Sequence, residues 1–161
     1  MHGTQHKAFT LIELIFVIVV VGILAIVAIP RLAASRDDAN AARCTHEVQQ
    51  ILSEIAQNYT MKGYLKFSML PIEEITNVNI GVIEKDGISS PQSTLVSSGI
   101  TYMCDSEDIV EIKGIHGGVE YNISVTDLNP SDPPAAVSAS ELIRELNGIT
   151  TAGGSRSYSL E

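Results

Sequence analysis

The stretch Lys7-Ala8-Phe9-Thr10-Leu11-Ile12-Glu13, followed without a break by the apolar run 14–29, decides how the rest of the chain is read. From Phe9 to Ile29 the only polar side chains are those of Thr10 and Glu13. As a helix rising about 1.5 Å per residue, this run reaches roughly 30 Å, the thickness of a bilayer's hydrocarbon core. A core helix of a soluble domain keeps a polar face. Here only Gly22 interrupts the apolar set, so a membrane span is predicted. One carboxylate at the edge of such a span is costly unless it is paired, which makes Glu13 the first functional candidate.

The flanks separate a retained anchor from a removable secretory signal. A secretory signal has a shorter apolar stretch ending in small residues, whereas this one ends in Ile29-Pro30-Arg31. Lys7 is the one fixed positive charge ahead of the run, and Arg31, Arg36 and Arg43 lie beyond it, so charge asymmetry leaves the orientation open.

A short polar leader, then Phe9-Thr10-Leu11-Ile12-Glu13 and an apolar helix, resembles the class III signal of type IV pilins and type II secretion pseudopilins. The resemblance covers Lys7 to about Tyr59. It implies that a prepilin peptidase cuts between Ala8 and Phe9 on the cytoplasmic side and methylates the new amino terminus of Phe9. Glu13 is then the fifth mature residue, where the family keeps its glutamate, and Gly22 and Pro30 fall where many pilins carry a glycine and a kinking proline. Ala8 departs from the family, which nearly always has glycine before the cut, a difference that bears on cleavage efficiency.

Cleavage would leave an ammonium on Phe9, and opposite charges attract far more strongly in low dielectric than in water, while either alone pays for desolvation. A carboxylate four residues along the same helix does not easily reach its own terminus. A neighbouring subunit's terminus satisfies it, so Glu13 is expected to set the axial register of assembly. Pro30 has no amide to donate to the carbonyl of Ile26, which weakens or kinks the helix there. By analogy with the family's filaments, 22–30 is where helicity would yield under load.

Past Pro30 the helical signal turns amphipathic: Ala41, Cys44, Val48, Ile51, Leu52, Ile55 and Tyr59 recur at steps of three and four. One helix of about fifty residues is expected, its outer half laid on a sheet, with Gly63 as its stop. The alternation in 119–126 predicts a strand with one buried face, preceded by a strand over 109–115. His116-Gly117-Gly118 between them suits a tight hairpin. Val78, Ile80 and Val82 mark a third strand, and 100–103 a fourth. Further on, Ser138 and Glu141 read as a capping box for a short helix through Leu142, Ile143 and Leu146, ended by Asn147-Gly148. The last dozen residues read as loop or edge strand.

The formal charge of the 161-residue chain is −9, and loss of Lys7 makes it one unit more negative. An acidic face does not attract nucleic acid, so no direct nucleic-acid binding is expected. Cys44 and Cys104 are the only cysteines. In an oxidising compartment a bridge between them would close a loop of about sixty residues and pin helix to sheet, an arrangement unlike the C-terminal disulfide loop of many type IV pilins. Two buried thiols are the alternative. Asp127, Asn129 and Asp132 are calcium candidates, although such groups near prolines usually form turns. His46 and His116 are isolated, no nucleophile elbow or phosphate-binding glycine loop occurs, and no enzyme activity, metal or cofactor is expected.

These readings combine into an α+β fold: a long N-terminal helix, half membrane-spanning and half amphipathic, packed on an antiparallel sheet, pilin-like. The expected parts are a leader 1–8, a transmembrane and filament-core helix 9–30, the amphipathic half of that helix 31–62, and a β domain 63–161 with an irregular C-terminal region. The function implied is a structural subunit of a type IV pilus or type II secretion-like filament. Its partners would be copies of itself and other pilins, the prepilin peptidase, an inner-membrane assembly platform and the membrane. The location would be the inner membrane before assembly and a periplasmic or extracellular filament after it. The alternative is a monomeric, membrane-anchored periplasmic binding or sensor domain.

Overall fold

The computed structural model describes residues 9–82, 94–95, 99–116 and 121–160. The leader 1–8, with Ala8, and the Gly117-Gly118 turn lie outside them. Helix α1 (Leu11–Phe67) is followed by a 3-10 turn at Ile72–Glu74, then β1 (Gly81–Val82), β2 (Ile100–Cys104), β3 (Glu107–His116), β4 (Tyr121–Asp127), helix α2 (Pro134–Leu146) and β5 (Ser155–Leu160). Two compact units divide between Arg36 and Asp37.

Within the first unit the apolar helix has no cover from the described residues. Its most apolar window has mean hydropathy 3.2 and is 0% buried, and the backbone stays helical through Pro30.

In the second unit α1 buries one stripe: Ala41, Cys44, Val48, Ile51 and Ile55 are each at most 2% exposed, with Leu52 and Tyr59 packed at its margin. The spacing that made these residues recur in sequence puts them on one side of a helix of 3.6 residues per turn. Opposite them stands a five-stranded antiparallel sheet in the order β1-β2-β3-β4-β5. β3 and β4 pair from Val110↔Asp127 to His116↔Tyr121, and β5 takes the outer side of β4. Along β4 the inward positions are Tyr121, Ile123, Val125 and Asp127, the period-two alternation of a strand with one face in the core.

The structure corrects three local expectations. Among the described residues the third strand comprises Gly81–Val82; Val78 and Ile80 lie before it as half-buried residues against the core. Helix α1 continues past Gly63 to Phe67, but Gly63 itself is non-helical at φ 69°, ψ 166°, a conformation nearly confined to glycine. The break falls where the sequence put it, and one more turn follows. That turn supplies Phe67, whose ring lies 5.1 Å from Tyr121, while Tyr64 stacks edge-on to the same ring at 6.4 Å.

The third correction concerns α2, which starts at Pro134 and leaves Ser138 inside it. Proline's fixed φ favours the first helical position, so the helix begins four residues before the expected cap and buries Ala135, Ala136, Ala139, Ser140 and Ile143. Asn147 caps its end and Gly148, at φ 64°, turns the chain out.

Candidate functional site

The uncovered apolar helix is the site. Phe9 is 84% exposed and Leu32 70%, with large alkyl groups exposed on every side between them. A contiguous apolar surface of this extent must be covered by lipid or by protein. Gly22 has no neighbouring atom within 4 Å of where a Cβ would stand, so it relieves no clash within the chain.

At the head of this helix Glu13 has a partner that sequence reasoning missed. Its Oε2 accepts from the backbone N–H of Thr10 at 3.0 Å and from the Thr10 hydroxyl at 2.7 Å, and the Glu13 N–H donates back to Thr10 Oγ1 at 3.3 Å. This is a reciprocal N-terminal cap, and the signal for it, Thr-x-x-Glu before an apolar run, was present at residues 10–13.

In the second unit, α1 is fastened to β2 at two adjacent places. Cys44 and Cys104 are joined by a disulfide with their Cα atoms 5.8 Å apart. One turn along, the buried Tyr102 hydroxyl donates to Glu47 at 2.6 Å, and the other Glu47 oxygen pairs with Arg43 at 3.0 Å. Burial, then the Glu47 carboxylate, pushes the Tyr102 phenol far above its ordinary value. A third fastening holds the segment after the 3-10 turn: the Asn77 N–H donates to Glu54 at 3.3 Å and the Asn58 amide to the Ile75 carbonyl at 3.0 Å. Burial raises the Glu54 carboxyl, but hydrogen bonds from Gln50, Thr76 and Asn77 outweigh it and leave the group below its usual range.

The three calcium candidates do not form a cage. The Asp127 side chain is 1% exposed, and both its oxygens are taken. Oδ1 accepts from Asn129 N–H at 3.1 Å and Ser140 Oγ at 2.5 Å; Oδ2 accepts from Gly153 N–H at 2.9 Å and Arg144 at 3.3 Å. Asn129 and Asp132 are exposed. Among the described residues no group of three or more His, Cys, Asp or Glu is arranged to hold a metal. Burial pushes the Asp127 carboxyl up, and its hydrogen bonds and Arg144 more than reverse this, holding it low.

His46 stands exposed on α1, and His116 ends β3. A pocket of about 240 Å³ lined by Leu52, Ile123, Asn147, Tyr158 and Leu160 is mainly apolar, and the Tyr158 hydroxyl there is engaged by the Asn147 carbonyl at 2.7 Å. It brings no acid–base pair together.

An uncovered apolar helix with a carboxylate at its head, continuing as the amphipathic helix of an antiparallel α+β domain, defines a pilin-like fold, with one candidate membrane span among the described residues. Residues 4–29 match the family described as the prokaryotic N-terminal methylation motif, so the chain carries the class III prepilin signal of type IV pilins and pseudopilins. That signal implies processing by a prepilin peptidase and assembly with other pilins, fits an inner-membrane-anchored precursor, and suggests a structural rather than catalytic subunit. No curated protein and no solved structure matches the chain.

Proposed function

We propose that the chain is a structural subunit of a type IV pilus or type II secretion-like filament. The peptidase hydrolyses the Ala8–Phe9 bond, Phe9 is N-methylated, and an inner-membrane platform extracts the subunit into a periplasmic or extracellular filament. The observation that carries this reading is the methylation motif on a helix whose apolar surface is left uncovered by the described residues of its own unit. Lateral packing of such helices replaces lipid with protein at little cost in apolar burial, so extraction becomes tolerable when other machinery supplies the energy. Glu13 pairs with the Phe9 ammonium of a neighbour and sets the register, and Gly22 and Pro30 mark the stretch that yields under load. The proposed parts are the leader 1–8, the filament-core helix 9–30, its amphipathic continuation 31–62 and the β domain 63–161.

A monomeric anchored binding or sensor domain remains the second reading. One observation favours it: Thr10 already partners one oxygen of Glu13 within the chain, so the carboxylate of an isolated anchor is not wholly unpartnered. Intact mass from native membranes, with and without the prepilin peptidase, tests the processing on which the first reading depends. A chain beginning at methylated Phe9 only when the peptidase is present supports it. A chain still beginning at Met1 in peptidase-competent cells overturns it in favour of the anchor.

A further inference from the structure

Both hydrogen bonds that Thr10 gives Glu13 fall on one oxygen, Oε2. Among the described residues no donor reaches Oε1. The carboxylate is thus held at one end and open at the other. We propose that Thr10 is the positioning residue of the assembly carboxylate: its hydroxyl pins Oε2 to the first turn of α1 and leaves Oε1 presented to the ammonium of an incoming subunit. This rests on the reading that Glu13 pairs with a neighbour's terminus.

The cap lies wholly downstream of the proposed cut. The Thr10 N–H belongs to the Phe9–Thr10 peptide, so removing 1–8 leaves all three hydrogen bonds available. In hydrocarbon no water competes for the first-turn N–H groups, and an unpartnered one is costly, so the cap persists within the bilayer. A free glutamate samples many rotamers and loses that freedom when it pairs, whereas one already anchored at Oε2 has less to lose. The O–H to carboxylate bond is charge-assisted, the stronger kind. Thr10 therefore prepares the charge pair without taking part in it.

Full-length variants expressed in place of the wild-type chain, in peptidase-positive and assembly-competent cells, test this. The readout is the fraction of cleaved chain recovered in sheared filaments. Thr10→Val keeps the shape and removes the hydroxyl; it should lower that fraction about fivefold, while Thr10→Ser stays near wild type. Glu13→Gln should assemble no better than Thr10→Val. Wild-type assembly by Thr10→Val beside a defective Glu13→Gln would overturn the role of Thr10 and leave that of Glu13 standing. A Thr10→Ser defect as deep as that of Thr10→Val would also overturn it. Normal assembly by Glu13→Gln would remove the register role of Glu13 and this inference together. Amide hydrogen exchange on the uncleaved chain in micelles adds a readout independent of processing: the Thr10 N–H should exchange more slowly in the wild type than in Glu13→Ala, which has no acceptor for it, and equal rates would contradict the cap.

Discussion

At Asp127 the last inward position of β4 holds a carboxylate where the preceding inward positions hold Tyr121, Ile123 and Val125. The charge is tolerable there because four donors from the following loop, α2 and the turn before β5 converge on it. Asp127→Ala leaves those donors facing a void and should cost about 3 kcal/mol or more in denaturant unfolding of the full chain in micelles. Since the folded carboxyl lies below its unfolded value, ionisation favours the fold. That contribution is fully present above the unfolded value near pH 4 and is lost as the pH falls through the folded one. Acid titration should therefore show a loss of stability below about pH 4 that is much reduced in Asp127→Ala. Gly63→Ala forces a side chain into φ 69°, ψ 166° and should destabilise by about 1–3 kcal/mol, although space around the added methyl is open. At this scale the sequence was partly legible. Gly63 stood out as a break, and the alternation of β4, followed one step further, points Asp127 inward. Two copies of the Ser/Thr-x-x-Glu pattern were present, and only that of Thr10 and Glu13 caps a helix. At Ser138 the pattern failed because Pro134 had already started α2.

The elements of the second unit are held by one seam along α1. The disulfide between Cys44 and Cys104 and the bond between Tyr102 and Glu47 join the same helix face to the same strand. Closing a loop of about sixty residues stabilises by roughly 4 kcal/mol through chain entropy. Cys44→Ser with Cys104→Ser should lower the unfolding free energy by about that amount, and the wild-type chain should shift its gel mobility on reduction. Unchanged stability in the double variant would show that packing of Val48, Ile51 and Ile55 alone fixes helix to sheet. The buried stripe was readable because helical periodicity persists over five turns, and β3 and β4 because their alternation is long. β1 was misread since Val78, Ile80 and Val82 alternate as a strand does, yet only Gly81 and Val82 find a ladder, opposite Thr101 and Ile100. Alternation reports burial on one side and cannot by itself report a hydrogen-bonded neighbour.

Taken whole, the chain joins a segment that cannot remain bare in water to an α+β domain with a full core. The first was legible from composition, because nothing but lipid or protein can cover twenty-one nearly unbroken apolar residues from Phe9 to Ile29. In the proposed filament its cover is a property of many chains, and no periodicity within one chain encodes it. The domain carries no convergent catalytic group among its described residues, and the buried side chains of Tyr102, Asp127 and Asn147 fasten helix, loops and strands. The proposed function lies in the helix and its first turn. The most direct test is electron microscopy and intact-mass analysis of filaments sheared from cells expressing the native chain. The prediction is filaments whose subunits begin at methylated Phe9. Recovery of the chain solely as membrane-bound monomer, from cells competent in both cleavage and assembly, would contradict it.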